Sequence, residues 1–383
     1  MIAWEIVFWL CVALLVYAQA GYPLLLAALA TARGGATGGA IATGSGASEQ
    51  PTVSLIVAAY DEEPVIADKV RNALALDYPR DRLEVVVASD GSSDATVQRA
   101  RDAGADRVLD LARGGKIRAQ DASVAASTSE IVAFSDANSS WEPGALATLV
   151  AAFDDPKVGY ACGQVRFGHD PAHPGTNQEG LYWRYEMGLR GLESRLQSIT
   201  AGNGAIYATR REAYIEVDPI MGHDLSFPFN MVKRGWRAVY VPQARATEKM
   251  VPSLEGEFAR KRRMMSHTWP IVLRGGLLSP RGYPPLYALM IVSHRVLRYG
   301  APFLHLGALI ASFALGGTSA LYAVALALQL GLIVAALLAR LLPLRPLLVA
   351  RYYVLTTASV AVGLWDWLRH GTPAGWEPAE GTR

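Results

Sequence analysis

Cysteine is scarce in this chain, which argues against two common ways of building a fold. The 383 residues include only two cysteines. Cys11 lies in an apolar segment, and Cys162 lies at the end of a predicted strand. Their spacing suits no metal site, and two such residues do not indicate a disulfide framework. We therefore expect neither a cysteine-bound metal nor a disulfide scaffold.

A strong excess of one charge is also missing, since the formal net charge is only +2. Overall charge thus gives no reason to expect nucleic acid as a partner. Hydrophobic residues, by contrast, make up 51% of the chain, which is high for a purely soluble protein of this size. The length itself favours two structural units over one.

Basic residues are absent from the first four positions, where a signal peptide would carry them. The apolar run at residues 6–30 exceeds the roughly 20 residues that cross a bilayer. We therefore predict an uncleaved transmembrane anchor over residues 1–33 rather than a signal peptide. Residues 34–50 are rich in Gly, Ala, Thr and Ser, which is typical of a flexible linker.

Three more apolar runs predict three transmembrane helices within residues 300–368. Arg33 follows the anchor, and Arg340 and Arg345 lie between the second and third runs. The positive-inside rule then places the central domain in the cytoplasm and the tail, residues 369–383, outside. Alternatively, one run is a buried or re-entrant helix, which would reverse the tail. Both arrangements predict a multi-pass protein of the cell membrane. The three runs are residues 300–315, 320–339 and 346–364.

Residues 281–299 mix apolar positions with His294, Arg295 and Arg298. This pattern predicts an amphipathic helix in the membrane interface, with its basic side chains toward lipid phosphates. Packing of the same helix on the soluble domain is the alternative.

Strand and helix patterns alternate through residues 51–280, which predicts an α/β fold with a mostly parallel sheet and helices on both faces. Asp90 and Asp136 directly follow two of the apolar strands, at the sheet edge where ligands bind in such folds. Strands are predicted at residues 53–59, 83–89, 107–111, 131–135 and 238–241. Helices are predicted at residues 64–76, 94–103, 116–126, 143–153, 178–197, 223–234 and 254–273.

A series of short motifs resembles those of the inverting family 2 glycosyltransferases, in particular a membrane-bound bacterial branch of the cell envelope. The resemblance covers about residues 51–298 and includes a basic helix after Glu257. Any one motif occurs often by chance, so their order and spacing carry the resemblance. The motifs are Ala58-Ala59-Tyr60-Asp61-Glu62-Glu63, Asp90-Gly91-Ser92-Ser93-Asp94, Gly115-Lys116, Ser135-Asp136-Ala137-Asn138, Gly202-Asn203-Gly204-Ala205 and His223-Asp224.

The resemblance implies a GT-A fold, a Rossmann-like mixed sheet, in a cytoplasmic domain flanked by transmembrane helices. It implies transfer of a sugar, with inversion, from a UDP-linked nucleotide-sugar donor to a lipid or glycan acceptor at the membrane. Asp224 matches the base, which must reach the acceptor hydroxyl. Mg²⁺ or Mn²⁺ is implied as cofactor, with Asp136 and Asn138 as oxygen ligands. The implied donor-binding residues are Ala58, Tyr60, Glu62, Asp90, Lys116, Asp136, Gly202, Asn203, Gly204, Arg260 and Arg263.

Three positions depart from the family pattern. Asn138 replaces a second Asp, and His223 replaces the first carboxylate of an acidic pair. Met264 replaces the Trp of the processive Gln-x-x-Arg-Trp signature, in which only Arg263 matches directly. Processive polymer synthesis is therefore an alternative rather than the main expectation, as is a non-catalytic membrane scaffold. A nucleotidyltransferase would normally carry a glycine-rich loop after the first strand, where residues 60–63 contain no glycine.

Several of these residues also have ordinary structural interpretations. Asp94 and Asp136 could cap helices, and Asp224 could form a salt bridge with the basic helix. Gly202-Asn203-Gly204 could be a plain tight turn, and His223 could be structural. The arginines of the basic helix could instead face anionic lipid headgroups.

Overall fold

A computed structural model describes residues 1–34, 50–167, 177–249 and 253–375. It begins with α1 (Ile2–Val16), a π-helical turn (Tyr17–Gly21) and α2 (Tyr22–Ala32), which form one continuous apolar helix of 31 residues where the anchor is predicted. The predicted linker lies outside the described residues except at its two ends.

The central domain continues the alternation that the sequence predicts. Most predicted elements appear within two residues of their expected ends. In chain order, the elements are β1 (Val53–Ala59), α3 (Ile66–Leu74), β2 (Leu83–Asp90), α4 (Thr96–Asp102), β3 (Arg107–Leu111), α5 (Lys116–Ala126), β4 (Ile131–Asp136), β5 (Ser140–Trp141), α6 (Ala145–Val150), β6 (Val158–Phe167), α7 (Asn177–Leu196), β7 (Ile206–Arg210), α8 (His223–Lys233), β8 (Arg237–Glu248) and α9 (Leu254–Leu273).

Within the described residues the strands form one sheet in the order β3-β2-β1-β4-β7-β6-β8-β5. The first four strands in this order are parallel, so their carboxyl ends meet at one edge. All residues of β1 are buried, as expected for a strand covered on both faces. β7 runs antiparallel between β4 and β6, so the sheet is mixed. β6 and β8 pair in parallel and run in the same direction as β4. The mostly parallel prediction is thus confirmed, except that β7 and the short β5 run in the opposite direction.

β8 is three times as long as the predicted strand. The prediction ended too early because the second half of the strand is polar. Pro242, Gln243 and Arg245 interrupt the apolar pattern on which the prediction of residues 238–241 depended. The register against β6 also shifts between Cys162 and Gln164. The extension carries the strand back to the ligand edge of the sheet.

The C-terminal part contains α10 (Pro285–Met290), a π-helical turn (Ile291–Val296) and α11 (Leu297–Leu315), again one continuous helix of 31 residues. α12 (Ala320–Leu338) and α13 (Arg345–His370) follow. With the N-terminal helix, these make four helices in the described part of the chain that are long and apolar enough to cross a membrane. The chain is therefore a membrane protein.

The basic residues of the predicted interfacial helix face protein rather than lipid. His294 and Arg295 are 4% and 5% exposed. His294 Nδ1 lies 2.7 Å from Glu193 Oε1, and Arg295 Nη2 lies 3.3 Å from Glu186 Oε1, both on α7. The expected orientation toward lipid phosphates is wrong for these two residues, because buried carboxylates compensate them. The alternative, a helix packed on the domain, describes this segment.

α13 packs lengthwise on α9, with Trp269 Nε1 donating to the Val360 carbonyl oxygen at 2.9 Å. Beyond α13, the Thr372 hydroxyl donates to the Ser266 carbonyl oxygen at 2.8 Å. A tail that bonds to the central domain cannot lie across a membrane from it. The described part of the tail, up to residue 375, therefore lies on the same side as the central domain. The predicted placement of the tail across the membrane from the domain is wrong for these residues, and the alternative in which one apolar run does not cross would place the two together.

Candidate active site

Lys116 and Asp136 form an ion pair at the carboxyl edge of the sheet. Asp136 ends β4, and Lys116 begins α5 directly after Gly115, whose φ is +97°. This angle suits glycine and turns the chain so that α5 starts beside β4. Ala58 pairs in register with Asp136 across β1 and β4. The structure thus brings three of the predicted donor-site residues together.

Lys116 carries the positive charge of this cluster. Burial alone would lower the pKa of Lys116, but the charge and hydrogen bond of Asp136, together with other nearby carboxylates, outweigh that effect, and the pKa lies above its ordinary value. Asp224 and Glu248 act in the same direction. The lysine therefore stays protonated among three carboxylates.

Asp224 lies in the first turn of α8, half-buried, and is tied to the glycine motif. Its backbone carbonyl accepts a hydrogen bond from the Gly202 amide at 2.6 Å. A Cβ on Gly202 would overlap the Tyr160 hydroxyl, and one on Gly204 would lie 3.5 Å from the Lys116 ammonium. Only glycine fits the first position, so the motif is close-packed between Asp224 and the ion pair.

Asp90 is 1% exposed and holds the loop that leads into α5. Its carboxylate accepts hydrogen bonds from the backbone amides of Gly114 (2.6 Å) and Gly115 (2.9 Å), and from Arg113 Nη1 (3.0 Å). The Arg113 guanidinium lies over the Tyr60 ring, 3.2 Å from its centroid. Arg113, which no motif marked, is thus part of the same pocket.

Two other motif residues serve the local backbone. The Asn203 amide donates to the Gly163 carbonyl at 2.7 Å and accepts from the Ile206 amide at 2.9 Å, so it shapes the turn. Asp94 Oδ1 accepts from the Thr96 amide at 3.0 Å, at the start of α4. This is a local bond from side chain to backbone rather than a helix cap, because the N-cap residue of α4 is Ala95, so the capping interpretation of Asp94 is wrong.

The arginines of the basic helix have different surroundings. Arg260 forms a two-point ion pair with Glu257, each contact 2.7 Å long. Arg263 lies one turn further along α9 and is half-buried. Arg262 is ion-paired with Asp366 on α13. The charge of Arg260 also acts on Glu248, so Arg260 lies within electrostatic range of the acidic edge. Arg263 is a candidate for a donor phosphate through its match to the family motif.

Glu248 and Lys69 also belong to the site, although the sequence analysis missed both. Ser140 pairs with Thr247, so the end of β8 comes beside the loop after β4. Lys69 donates to the Ser139 carbonyl at 2.7 Å. Burial, and then the charge of Asp136, raises the pKa of Glu248 to about 7. Glu248 could have been predicted if the sequence had been interpreted as a strand that continues past Pro242 to the ligand edge.

His223 is a buried aromatic neighbour rather than a second acidic group. It is 3% exposed, and its ring stacks on Phe227 with centroids 3.9 Å apart. Nδ1 lies 2.8 Å from the Tyr207 hydroxyl, and Nε2 has no hydrogen-bond partner within the described residues. Burial lowers the pKa of His223 to about 3, so the ring is neutral at physiological pH. The structural interpretation fits these contacts.

We expect the unfolding free energy to fall as the pH drops below 6.5. The unfolded chain then binds a proton at His223 that the folded protein excludes until about pH 3. At pH 5 this costs about 2 kcal/mol. Thermal unfolding in detergent between pH 7.5 and 5 should show a smaller decline for His223→Phe than for the unaltered protein.

Tyr207→Phe is the matched control, because it removes the same hydrogen bond but keeps the imidazole. It should retain the full decline with acidity. Parallel pH profiles in all three proteins would show that His223 does not contribute to this dependence.

A divalent cation fits the donor atoms of the site. Within the described residues, no group of three or more His, Cys, Asp or Glu is placed to hold a metal ion. The oxygen donors at this edge are Asp136, Asn138 and Glu248, and Glu248 Oε1 is buried without a hydrogen-bond partner among the described residues. Mg²⁺ and Mn²⁺ commonly bind one or two carboxylates and complete their coordination with water and phosphate oxygens.

Residues 51–266, more than half of the chain, match the family described as glycosyltransferase like family 2. The chain belongs to this glycosyltransferase family. The predicted family, the GT-A fold and the class of enzyme, a hexosyltransferase, are confirmed.

Two curated relatives and one solved structure show the range of similar enzymes. An N-acetylglucosaminyltransferase from Rhizobium leguminosarum bv. viciae is 25% identical over 229 residues, 55% of this chain and 54% of that protein. A beta-monoglucosyldiacylglycerol synthase from Trichormus variabilis is 36% identical over 116 residues, 28% of this chain and 25% of that protein. The chain thus spans about half of the first relative and a quarter of the second.

Mannosyltransferase PcManGT from Pyrobaculum calidifontis, solved in complex with GDP-Man and Mn²⁺, has the same fold as this glycosyltransferase. The TM-score is 0.69 at 24% identity, and the match covers 95% of this chain and 99% of that one. The likeness therefore extends beyond the catalytic domain to the helices that flank it.

Proposed function

We propose that this glycosyltransferase moves a sugar, with inversion, from a UDP-linked donor to a lipid or glycan acceptor at the membrane surface. The observation that carries the proposal is the meeting of Lys116, Asp136 and Asp224, which come from three distant motifs, at the carboxyl edge of the sheet. The names of the two curated relatives, one an N-acetylglucosaminyltransferase and one a glycolipid synthase, support sugar and acceptor classes of this kind.

The donor diphosphate is proposed to lie beside Lys116 and Arg263, with Asp136, Asn138 and Glu248 as ligands of Mg²⁺ or Mn²⁺. A bound cation would offset the negative charge that grows on the departing diphosphate. Lys116 orients Asp136 through their ion pair and supplies a fixed positive charge. The loop that Asp90 holds is proposed to contact the base of the nucleotide, with Tyr60 and Glu62 beside it. Other proposed contacts of the donor are Ala58, Gly202, Gly204 and Arg260.

Asp224 is proposed to accept the proton of the acceptor hydroxyl as that hydroxyl attacks the sugar. Its half-buried position leaves one side open to an acceptor, while the Gly202 amide fixes the start of its helix. Inversion needs one base on the side opposite the leaving diphosphate, and a single carboxylate suffices for that role. His223, neutral and stacked, supports the helix rather than the proton transfer.

The acceptor is proposed to enter beside the membrane helices. α13 lies along α9, so the lipid surface comes close to the proposed phosphate site. With the catalytic domain in the cytoplasm, the acceptor would be presented from the inner leaflet. Met264 in place of the processive Trp favours addition of one sugar over polymer synthesis.

Replacing Glu248 by Gln is expected to weaken Mn²⁺ binding, in the presence of UDP, about 10-fold to 100-fold. The change keeps the shape of the side chain but removes a buried charge that faces Asp136. Mn²⁺ titration followed by electron paramagnetic resonance measures this without turnover. Glu212→Gln, on an exposed residue, is the control. Equal affinity in both variants would remove Glu248 from the metal site.

The proposed function is tested by nucleotide release from purified enzyme in lipid nanodiscs. UDP-, GDP- and dTDP-sugars are supplied with Mn²⁺ and with a membrane lipid extract, and products are separated by size. Release from UDP-sugars, with one sugar added to a lipid, is the expected result. Release from a GDP- or dTDP-sugar instead would show that the proposed nucleotide, UDP, is wrong. Long products would establish processive synthesis. No donor binding and no release from any donor would favour a scaffold.

A further inference from the structure

The chain beyond α13 returns to the nucleotide end of the donor site. After the bond between Thr372 and Ser266, the chain runs on to Ala374. The carbonyl group of Ala374 lies so close to Gly115 that a Cβ on the glycine would overlap it. Residues 372–375, here called the tail segment, therefore contact the glycine that precedes α5.

The tail segment covers the loop that Asp90 holds. The Asp90 carboxylate is already bonded to the Gly115 amide and to Arg113, which lies on the Tyr60 ring. A Cβ on Gly375 would lie 3.6 Å from the Arg113 guanidinium, so the backbone of the tail runs directly beside it. Tyr60, Arg113 and the tail segment thus form successive layers over one end of the sheet.

The tail segment is held in place by contacts between the end of α13 and α9. Asp366, near the end of α13, is ion-paired with Arg262 on α9. Gly363 packs so closely that a Cβ there would overlap Met265. α9 also carries Arg263, the proposed phosphate contact, so the tail is fixed relative to the rest of the donor site. A segment anchored in this way is a fixed wall of the pocket.

We propose that the tail segment is the base-side wall of the donor site and helps to determine both the affinity for the nucleotide and the choice of base. The proposal rests on the proposed function, which makes the Asp90 loop the nucleotide end. Arg113 offers only hydrogen-bond donors, whereas the tail backbone also offers carbonyl acceptors. Together they complement a base such as uracil, which has both carbonyl oxygens and an N–H group. A wall already in place lowers the ordering cost of binding.

The test is UDP and GDP binding, measured by calorimetry with Mn²⁺ in detergent. One variant ends after Gly371, and a second, Thr372→Val, keeps the full length but removes the hydrogen bond that holds the tail to Ser266. Both are expected to bind UDP about tenfold more weakly, the effect of losing one or two hydrogen bonds. Their preference for UDP over GDP should shrink at the same time. Thr148→Val, which removes a comparable hydroxyl-to-carbonyl hydrogen bond in α6, is the matched control.

Unchanged UDP affinity in the shortened enzyme would overturn the wall while leaving the proposed function in place. Tighter UDP binding would also overturn it, since the tail would then obstruct the pocket. Absence of UDP binding by the unaltered enzyme would overturn the proposed function and the wall with it. Melting temperatures within a few degrees of the unaltered enzyme would show that a loss of affinity is not a loss of folding, and Thr372→Val provides a full-length comparison.

Discussion

Asp224→Asn is expected to lower the rate of sugar transfer about 10²-fold to 10⁴-fold, the range that general acid–base groups contribute. The amide is nearly the same size but cannot take the acceptor proton. Because the backbone of Asp224, not its side chain, bonds to Gly202, the start of α8 and the glycine motif should be preserved. UDP binding should therefore stay close to that of the unaltered enzyme, and the loss should appear in kcat.

The measurement is initial rate against acceptor and donor concentration, with UDP affinity determined separately. Asp102→Asn, on an exposed residue of α4, is the control and should be fully active. Transfer at the normal rate by Asp224→Asn would remove Asp224 as the base. A parallel loss of UDP affinity would assign it to donor binding instead.

Asp136→Ala is expected to abolish metal-dependent donor binding and to lower kcat/KM by about 100-fold or more, because metal assistance is worth several kcal/mol. Asp136 is the ion-pair partner of Lys116 and is proposed to be the main acidic ligand of the cation. Without it, the lysine loses its ion-pair partner, and the charges of Asp224 and Glu248 still act on it. The diphosphate would then bind through Lys116 and arginine alone.

Direct Mn²⁺ binding, with and without UDP, separates this effect from a general loss of activity. The unaltered enzyme should bind Mn²⁺ more tightly when UDP is present, and Asp136→Ala should lose that gain. The Asp102→Asn control should keep it. Normal Mn²⁺ affinity in Asp136→Ala, together with reduced transfer, would place the metal elsewhere or limit Asp136 to positioning Lys116.

The parts of the fold that sequence reasoning predicted well are governed by local patterns. β1, β3, α5 and α9 begin and end at their predicted residues because apolar periodicity and glycine punctuation mark them. The predicted strand was shorter than β8, because the polar second half of β8 is a strand only through its pairing with β5 and β6. The local sequence pattern does not show that pairing. Tertiary pairing therefore decided what strand propensity could not.

The parts of the site that were missed depend on partners far away in sequence. In the sequence, His294 and Arg295 have the pattern of lipid-facing residues. In the fold they contact Glu193 and Glu186, which lie about 100 positions earlier in the chain. Glu248 belongs to no motif and gains significance only beside Asp136. Motif order thus predicted which residues meet at one edge of the sheet, but not the charges that surround them.

The tail segment also has a consequence for the biosynthesis of the enzyme. Residues 372–375 follow α11, α12 and α13, so the ribosome makes them after all the membrane helices described above. A nascent chain whose catalytic domain has already folded would still lack one side of its nucleotide pocket. If the tail forms this wall, the enzyme would bind its nucleotide donor tightly only after the hydrophobic helices have been synthesised. By then the enzyme would be at the membrane, where the acceptor is proposed to be.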